Sequence, residues 1–565
     1  MKYVPAAVIL LLTISTSSVS FAQGTSAKGV PKGWHLMDKE KDGYYGISID
    51  KAYEFVRSKN LKSKTVIVAV IDSGIDTLHE DLKEILWTNP KEIPGNGIDD
   101  DNNGYIDDVH GWNFLGGKDG KNVKEDSYEG ARVYHKFKKI FGGKTTDTAA
   151  LDEEGKEQYQ MWLKAKQRVE GDANSDGGVD IVIMKKALES TLKNDSIMRK
   201  AMAKEVFTGT ELEQFAPLTP DDKKAKAGLV YLFKANNMME TTNKEFVEGF
   251  TEYVTGEERK KEAAEKEPEN YRGDIVKDNE ADYNDRSYGN NDLMAGTPFH
   301  GTHVSGIIAA QRNNGKGMDG IADNVRIMMI RAVPDGDEHD KDIAMAIRYA
   351  VDNGAKVVNM SFGKSFSPEK RWVDDAVKYA ESKGVLLVHA AGNDAANVDS
   401  VDNFPNASLR ATKTKATNWI TVGASGDPKE GGFTAVFSNY GKDQVDVFAP
   451  GVKIYSTIPG GNTYGNAQGT SMASPVVAGT AAFLESYFPN LTLAQIKYCI
   501  EKSAQSPGVK VKKPGSDDVV DLKELSQSGG IINAYEAAKV AASLKPETKT
   551  DKKLPKSTLK KGKKG

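Results

Sequence analysis

The stretch Thr65-Val66-Ile67-Val68-Ala69-Val70-Ile71 runs directly into Asp72 and is a continuous apolar, mostly β-branched segment of strand length. Such a run is typical of a strand buried on both faces, as in a parallel sheet covered by helices. Helical patterns alternate with further runs of this kind, which lie at 325–330, 356–360, 385–388 and 419–422. The alternation predicts an α/β fold with a mostly parallel central sheet flanked by helices.

Polar residues beside glycines follow three of these predicted strands. Asp72 is followed by Ser73-Gly74, Ser361 lies in Asn359-Met360-Ser361-Phe362-Gly363, and Asn393 ends Ala390-Ala391-Gly392-Asn393. In a parallel sheet the carboxyl ends of the strands share one edge, and polar chemistry gathers there. We therefore expect the three segments to contribute to a single site.

The string Gly469-Thr470-Ser471-Met472-Ala473-Ser474-Pro475 continues into small and apolar residues, a pattern that predicts a buried helix with Pro475 in its first turn. Ser471 then lies at the helix N-terminus, where backbone N–H groups and the helix dipole favour negative charge near its hydroxyl oxygen. Taken alone, a serine in this position is usually a helix cap.

The segment His300-Gly301-Thr302-His303 supplies the group that a catalytic serine needs. A neutral imidazole accepts a hydroxyl proton near neutral pH and returns it to a leaving amine. Two histidines three residues apart are also an arrangement that binds metal, but no thiol or carboxylate accompanies them at a recognised zinc spacing. The sequence therefore favours a general base.

Together, the segments at Asp72, His300 and Ser471 resemble the three signature segments of the subtilisin-like serine proteases, in the order of that family. The resemblance covers roughly residues 34–116 and 271–540. It implies that Ser471 is the nucleophile, His300 the general base and Asp72 the carboxylate that orients it, while His303 is structural. It also implies that Asn393 donates to the oxyanion.

The same resemblance implies peptide or protein substrates. Ser361, Phe362 and Gly363 resemble the segment that pairs with the extended substrate backbone and, with Gly392, borders the pocket for P1, the residue before the scissile bond. The acidic segment 334–340 corresponds to the other edge of the cleft. We interpret it first as a surface loop; the alternative is that its charge favours basic residues upstream of the scissile bond.

The acidic stretch 99–108 predicts a structural calcium site, because alternate oxygen ligands surround a glycine as in the first part of an EF-hand loop. The expected ligands are Asp99, Asp101, Asn103, Tyr105 and Asp107. The closing glutamate is missing, since His110 occupies its position, and a solvated acidic turn stays an alternative.

Two further calcium candidates are weaker. The segment 172–180 has the early ligands of such a loop, but Ile183 stands where the last ligand belongs. Asp81 and the Asn313-Asn314 loop resemble another calcium site of the family, although Gly315-Lys316-Gly317 alters that loop.

The chain divides into five predicted parts. Residues 1–22 have the charge, short apolar run and small-x-small end of a signal peptide. The alternative is a buried strand or helix of the fold. We therefore expect secretion to a periplasm or to the cell exterior. The catalytic domain spans 23–116 and 271–540, around a helical insertion at 117–270, and a basic flexible tail covers 541–565.

Two features of this organisation bear on control of activity. Between Ala22 and Trp34 there is no room for an inhibitory pro-domain, so either the enzyme folds unaided or another segment takes that role. The insertion lies between Asp72 and His300 and so emerges near the active-site face. We hypothesise that it restricts access to the cleft.

Composition narrows the function classes. With 39% hydrophobic and 28% charged residues and a net charge of −4, the chain has no bulk signal for nucleic acid, and its first apolar run is too short to span a bilayer. Cys499 is the only cysteine, so rigidity must come from packing or metal.

Two other functions compete with that of a protease. One is a catalytically inactive subtilase fold used for binding. The other is an esterase, although the Gly-x-Ser-x-Gly elbow is missing. No oligomeric state is predicted.

Overall fold

The computed structural model describes residues 29–143, 146–174, 181–236, 238–239, 241–296 and 298–546. Three predicted features fall wholly or partly outside these residues: the signal peptide, residues 547–565 of the basic tail, and residues 175–180 of the second calcium candidate.

The core of the molecule is a sheet of seven parallel strands in the order β2-β3-β1-β4-β5-β8-β9, which confirms the predicted α/β fold. Three two-stranded antiparallel sheets accompany it, β6-β7, β10-β11 and β12-β13. The strands are β1 (Val66–Asp72), β2 (Gly111–Asn113), β3 (Val325–Arg331), β4 (Val357–Met360), β5 (Leu386–Ala390), β6 (Ser408–Leu409), β7 (Thr414–Lys415), β8 (Trp419–Ser425), β9 (Val447–Pro450), β10 (Ile454–Ile458), β11 (Thr463–Ala467), β12 (Val511–Lys512) and β13 (Val519–Val520).

Helices flank this sheet and fill the segment between β2 and β3. They are α1 (Lys39–Asp42), α2 (Ile49–Ser58), α3 (Glu129–Phe141), α4 (Glu153–Asn174), α5 (Ile181–Met202), α6 (Gly209–Gln214), α7 (Pro220–Ala235), α8 (Asn243–Glu265), α9 (Tyr271–Val276), α10 (Phe299–Ala309), α11 (Asp340–Asp352), α12 (Lys370–Lys383), α13 (Thr470–Tyr487), α14 (Leu493–Ser503) and α15 (Ala534–Ser543).

Both faces of the sheet are buried, which explains why β1 is apolar at nearly every position. Val68 and Val70 point into a core shared with α10 and α13. Ala69 and Ile71 point to the opposite face, into a core shared with α11 and α12. Because successive side chains of a strand alternate between the two faces, a strand covered by helices on both sides needs a continuous apolar run.

The register of the sheet gathers the predicted strand-end residues at one edge. Ile71 is aligned with Met360, and Met360 is aligned with His389. The chain leaves β1 at Asp72, β4 at Ser361 and β5 just before Asn393, so these residues leave the sheet on the same side. Helix α13 packs against β1, β4 and β5, which brings its first residues to that edge.

The predicted insertion, residues 117–270, contains helices α3 to α8. They bury small cores of their own, one around Phe137 and Trp162 and another around Phe207 and Phe233. Helix α8 packs against α3, α4 and α5. None of the helices in the described part of the chain combines the length and the apolar character needed to cross a bilayer.

Candidate active site

Asp72 and His300 form a hydrogen-bonded couple at the end of β1. The Asp72 side chain is buried, and its Oδ1 accepts a hydrogen bond from Nδ1 of His300 at 2.8 Å and another from the Ser73 N–H at 2.8 Å. Since a carboxylate only accepts, Nδ1 carries the proton and Nε2 is left as the basic nitrogen. Burial alone would lower the pKa of His300, but the charge and hydrogen bond of Asp72 outweigh it, and the pKa is raised.

A close approach between α10 and β1 fixes this couple. A Cβ atom added at Gly301 would lie 2.1 Å from the Gly74 carbonyl oxygen and 3.2 Å from the Asp72 Cβ atom. Only glycine permits this contact, which holds the first turn of α10 directly against the end of β1. The side chain of His300 remains 37% exposed and is therefore accessible to a substrate.

Ser471 lies in the first turn of α13 and is linked to the end of β4 by two hydrogen bonds. Its hydroxyl donates to the backbone carbonyl oxygen of Ser361 at 3.0 Å, and the Ser361 hydroxyl donates to the Ser471 carbonyl oxygen at 2.9 Å. The Asn359 amide donates to the Ser361 hydroxyl at 2.9 Å. The helix N-terminus and the strand end are therefore held in a fixed relation.

The orientation of the Asn393 side chain is set by Thr470. Its Oδ1 accepts hydrogen bonds from the Thr470 N–H at 2.8 Å and from the Thr470 hydroxyl at 3.0 Å. An amide oxygen engaged by two donors leaves the amide nitrogen, Nδ2, as the free end of the group. Nδ2 is therefore available as a donor beside the N-terminus of α13.

These residues line one cavity of about 420 Å³. Its walls include Asp72, His300, Ser471 and Asn393, together with Ser361 and Phe362 from the predicted substrate-binding set. Gly363 and Gly392 are not among its lining residues. Gly392 donates its N–H to the Thr470 hydroxyl at 3.1 Å, and Gly363 packs beside Asn403.

The cavity also contains a residue that the sequence did not single out. Glu252, on α8 of the insertion, is one of its lining residues and is exposed to solvent. Partial desolvation of its carboxylate and the charges of Asp335 and Glu248 raise its pKa to about 7. The charge of Glu252 adds to that of Asp72 in raising the pKa of His300. No motif marks Glu252 within a segment rich in lysine and glutamate.

The acidic loop brings together three carboxylates, of which two were predicted. Oxygen atoms of Glu92, Asp99 and Asp101 lie within 4.8 Å of one another. Glu92 is buried; its Oε1 accepts the N–H groups of residues 100 and 101, whereas its Oε2 has no hydrogen-bond partner among the described residues. A buried, unpartnered carboxylate oxygen beside two further carboxylates fits a hard divalent cation.

The other three predicted ligands make different contacts. Asp107 accepts the backbone N–H groups of residues 95, 96 and 97. Asn103 donates to Asp108 at 3.0 Å, and the ring of Tyr105 packs against Trp112. At the family-type candidate site, the Asn314 amide donates to Asp81.

Comparison with known proteins points to a single family. The sequence model of a protein family described as "Subtilase family" matches residues 63–524 of this chain. A thermophilic serine proteinase of Bacillus sp. strain AK1 is 45% identical over 206 residues, which are 36% of this chain and 46% of that protein. Subtilisin BL of Lederbergia lenta is 38% identical over 210 residues, 37% of this chain and 71% of that protein.

The chain spans about half the length, or less, of the first curated relatives it matches. A solved structure of a protease from Pseudoalteromonas arctica is 19% identical and covers 90% of this chain and 96% of its own, with a TM-score of 0.43.

Proposed function

The chain belongs to the subtilase family, and from that premise we propose that it is a serine endopeptidase that hydrolyses peptide bonds through an acyl-enzyme on Ser471. The observation that carries the proposal is the cavity shared by the hydrogen-bonded Asp72–His300 couple, Ser471 and Asn393. A nucleophile, a base with its orienting carboxylate and an oxyanion donor are the groups that acyl transfer requires.

In the proposed reaction, His300 Nε2 takes the proton of the Ser471 hydroxyl as its oxygen attacks the scissile carbonyl carbon. Asp72 keeps the imidazole in the required tautomer and stabilises the imidazolium that forms. His300 then donates the proton to the leaving amine, and the C–N bond breaks. Water activated by the same imidazole hydrolyses the ester and restores Ser471.

Negative charge on the carbonyl oxygen is stabilised by two donors in this proposal. One is Nδ2 of Asn393, whose orientation is held by the two Thr470 hydrogen bonds. The other is the backbone N–H of Ser471, which belongs to the first turn of α13, where helix N–H groups lack partners within the helix. In many such enzymes, hydrogen-bond donors that are held in place before the reaction make the largest single contribution to stabilising the transition state.

The test is hydrolysis of an internally quenched peptide library by the full chain and two serine variants. We expect Ser471→Ala to lower kcat by about six orders of magnitude. Ser382→Ala, on α12, is the matched control and should retain activity, because its exposed hydroxyl donates to the Tyr379 carbonyl oxygen and does not line the cavity. Equal activity of Ser471→Ala and the native chain would refute the proposal.

We further propose that Glu92, Asp99 and Asp101 bind a structural Ca²⁺ ion. Support comes from the three converging carboxylates and the unpartnered Oε2 of Glu92. Bound calcium would neutralise charge in a loop that contains no disulfide. Asp107 would stabilise the neighbouring turn at 95–97 through its backbone hydrogen bonds instead.

Export of the protein and its substrate class also belong to the proposal. The charged start, short apolar run and Ser20-Phe21-Ala22 support a secretory signal peptide with cleavage after Ala22. Secretion would expose the enzyme to peptide and protein substrates outside the cytoplasm.

A further inference from the structure

Helix α8 is anchored to the edge of the cleft, so that Glu252 has a defined position in the catalytic cavity. Arg259, two turns further along α8, pairs with Asp335 at 2.9 Å and with Glu125 at 3.2 Å. Gly256 faces Tyr128 so closely that an added Cβ atom would lie 2.6 Å from its hydroxyl. The helix that carries Glu252 is thus fixed by contacts on the turns that follow it.

Three aspartates of the acidic segment 334–340, at the edge of the cleft, already have partners of their own. Asp335 pairs with Arg259, and Asp337 accepts the Glu129 N–H at 2.8 Å. Asp340 is buried and pairs with Lys364 at 2.9 Å. Within the described residues, by contrast, no lysine, arginine or histidine lies within 4.0 Å of the Glu252 carboxylate. Glu252 is therefore the unpaired carboxylate that the cavity offers to a substrate.

The geometry of an extended substrate decides which residue meets Glu252. The family resemblance implies that the substrate backbone pairs with residues 361–363 and that the P1 side chain enters the pocket that this segment borders. Successive side chains of an extended peptide point to opposite sides. The P2 side chain, on the residue before P1, must then point away from the P1 pocket, and the other residues that line the cavity include His300, residues 333–336 and Glu252.

We propose that Glu252 is a specificity-determining residue that selects a lysine or arginine side chain at P2. This inference rests on the proposed endopeptidase function. A carboxylate without a cationic partner is suited to a charge-assisted hydrogen bond with an ammonium or guanidinium group. A bound peptide would exclude more water from the cavity and so strengthen this bond. The insertion would thus supply part of the substrate site as well as a wall of the cleft.

The experiment compares kcat/KM for N-acetylated peptides that are identical except for Lys, Ala or Glu at P2. Acetylation removes the terminal amine, so the P2 side chain is the cation under test. For the native chain we expect Lys at P2 to be cleaved about tenfold faster than Ala, the magnitude of one hydrogen bond to a charged group. Glu252→Gln should bring the ratio close to one, mainly through KM, and Glu252→Lys should reverse the preference toward Glu at P2.

Glu262→Gln is the matched control, because Glu262 lies on the same helix, is exposed, and pairs with Lys266 outside the cavity. This variant should keep the native ratio. Equal cleavage of the Lys and Ala peptides by the native chain, or a ratio unchanged in Glu252→Gln, would overturn the inference while leaving the endopeptidase intact. Absence of cleavage of every peptide would instead count against the proposed function itself.

Discussion

The Ser471 hydroxyl donates to the carbonyl oxygen of Ser361, on the segment expected to pair with the substrate backbone. A substrate N–H that occupied this carbonyl would displace the hydroxyl and free it for His300. Catalytic hydrogen bonds are often formed only in the substrate complex, so this geometry is compatible with the proposed relay. Substrate binding and activation of the nucleophile would then be the same event.

Asn393 provides a direct test of the oxyanion site at the level of one side chain. We expect Asn393→Ala to lower kcat by about 10²–10³-fold with little change in KM, because the lost hydrogen bond forms fully only in the transition state. The measurement is steady-state hydrolysis of a peptide amide.

Asn353→Ala is the corresponding control, because Asn353 donates to the Tyr349 carbonyl oxygen at the end of α11 and does not line the cavity. This variant should behave as the native chain. A KM effect alone in Asn393→Ala would contradict the assigned role.

At the scale of one element, the loop 89–108 shows what the sequence can and cannot predict. The alternating acidic residues predicted converging ligands, and carboxylate oxygens of Asp99 and Asp101 lie close together, while the calcium site itself stays a prediction. Glu92 precedes the motif and was missed, because the turn at 95–97, held by Asp107, brings it back to the cluster. The spacing of residues within a motif cannot predict a ligand that lies outside the motif and is brought to the site by a turn of the chain.

If this loop binds calcium, removing the ion should destabilise the protein. We expect a calcium chelator to lower Tm by about 2–3 °C, which corresponds to a ligand present at about a hundredfold above its Kd in a protein of this size. Differential scanning calorimetry with and without chelator measures the shift.

The same scan on two variants identifies the site. Glu92→Gln should be insensitive to the chelator, whereas Glu84→Gln, a nearby exposed glutamate, should respond as the native chain does. A full response to chelator in Glu92→Gln would exclude this site.

Helix α8 shows the same limit for the active site. Strand ends and signature segments were enough to predict the residues Asp72, His300, Ser471 and Asn393, which the structure brings to one cavity, because parallel strands end at a common edge. Glu252 reaches the same cavity through helix packing within the insertion. Packing of this kind leaves no local signal in a charged helical sequence.

At the scale of the whole molecule, the α/β fold could be predicted because strands buried on both faces must be apolar throughout. The effect of burial on the pKa of histidines, by comparison, can be derived only from the folded structure. Burial lowers the pKa of His35 and of His303 to about 3, and that of His389 to about 4. All three are therefore neutral in the folded chain at neutral pH.

These histidines predict loss of stability in acid. A histidine whose pKa is lowered by folding stabilises the native state fully above its unfolded pKa of 6.5, and that contribution disappears as pH falls toward the folded value. His35, whose ring nitrogens have no partner among the described residues, should alone cost about 3 kcal/mol of unfolding free energy at pH 4.

Urea unfolding at a series of pH values between 7 and 4 measures this dependence. The free energy of unfolding should fall steadily over that range, and less steeply in His35→Gln, whose side chain cannot take up a proton. Parallel pH profiles for the native chain and this variant would show that His35 does not carry the effect.

If Ser471 is a nucleophile activated by the Asp72–His300 couple, a fluorophosphonate should label it. Mass spectrometry of the modified peptide identifies the labelled residue. We expect a single adduct on Ser471 in the native chain, retained in Ser382→Ala and lost in both Ser471→Ala and His300→Ala. Labelling that persists in Ser471→Ala, or a native chain that takes up no label, would contradict it.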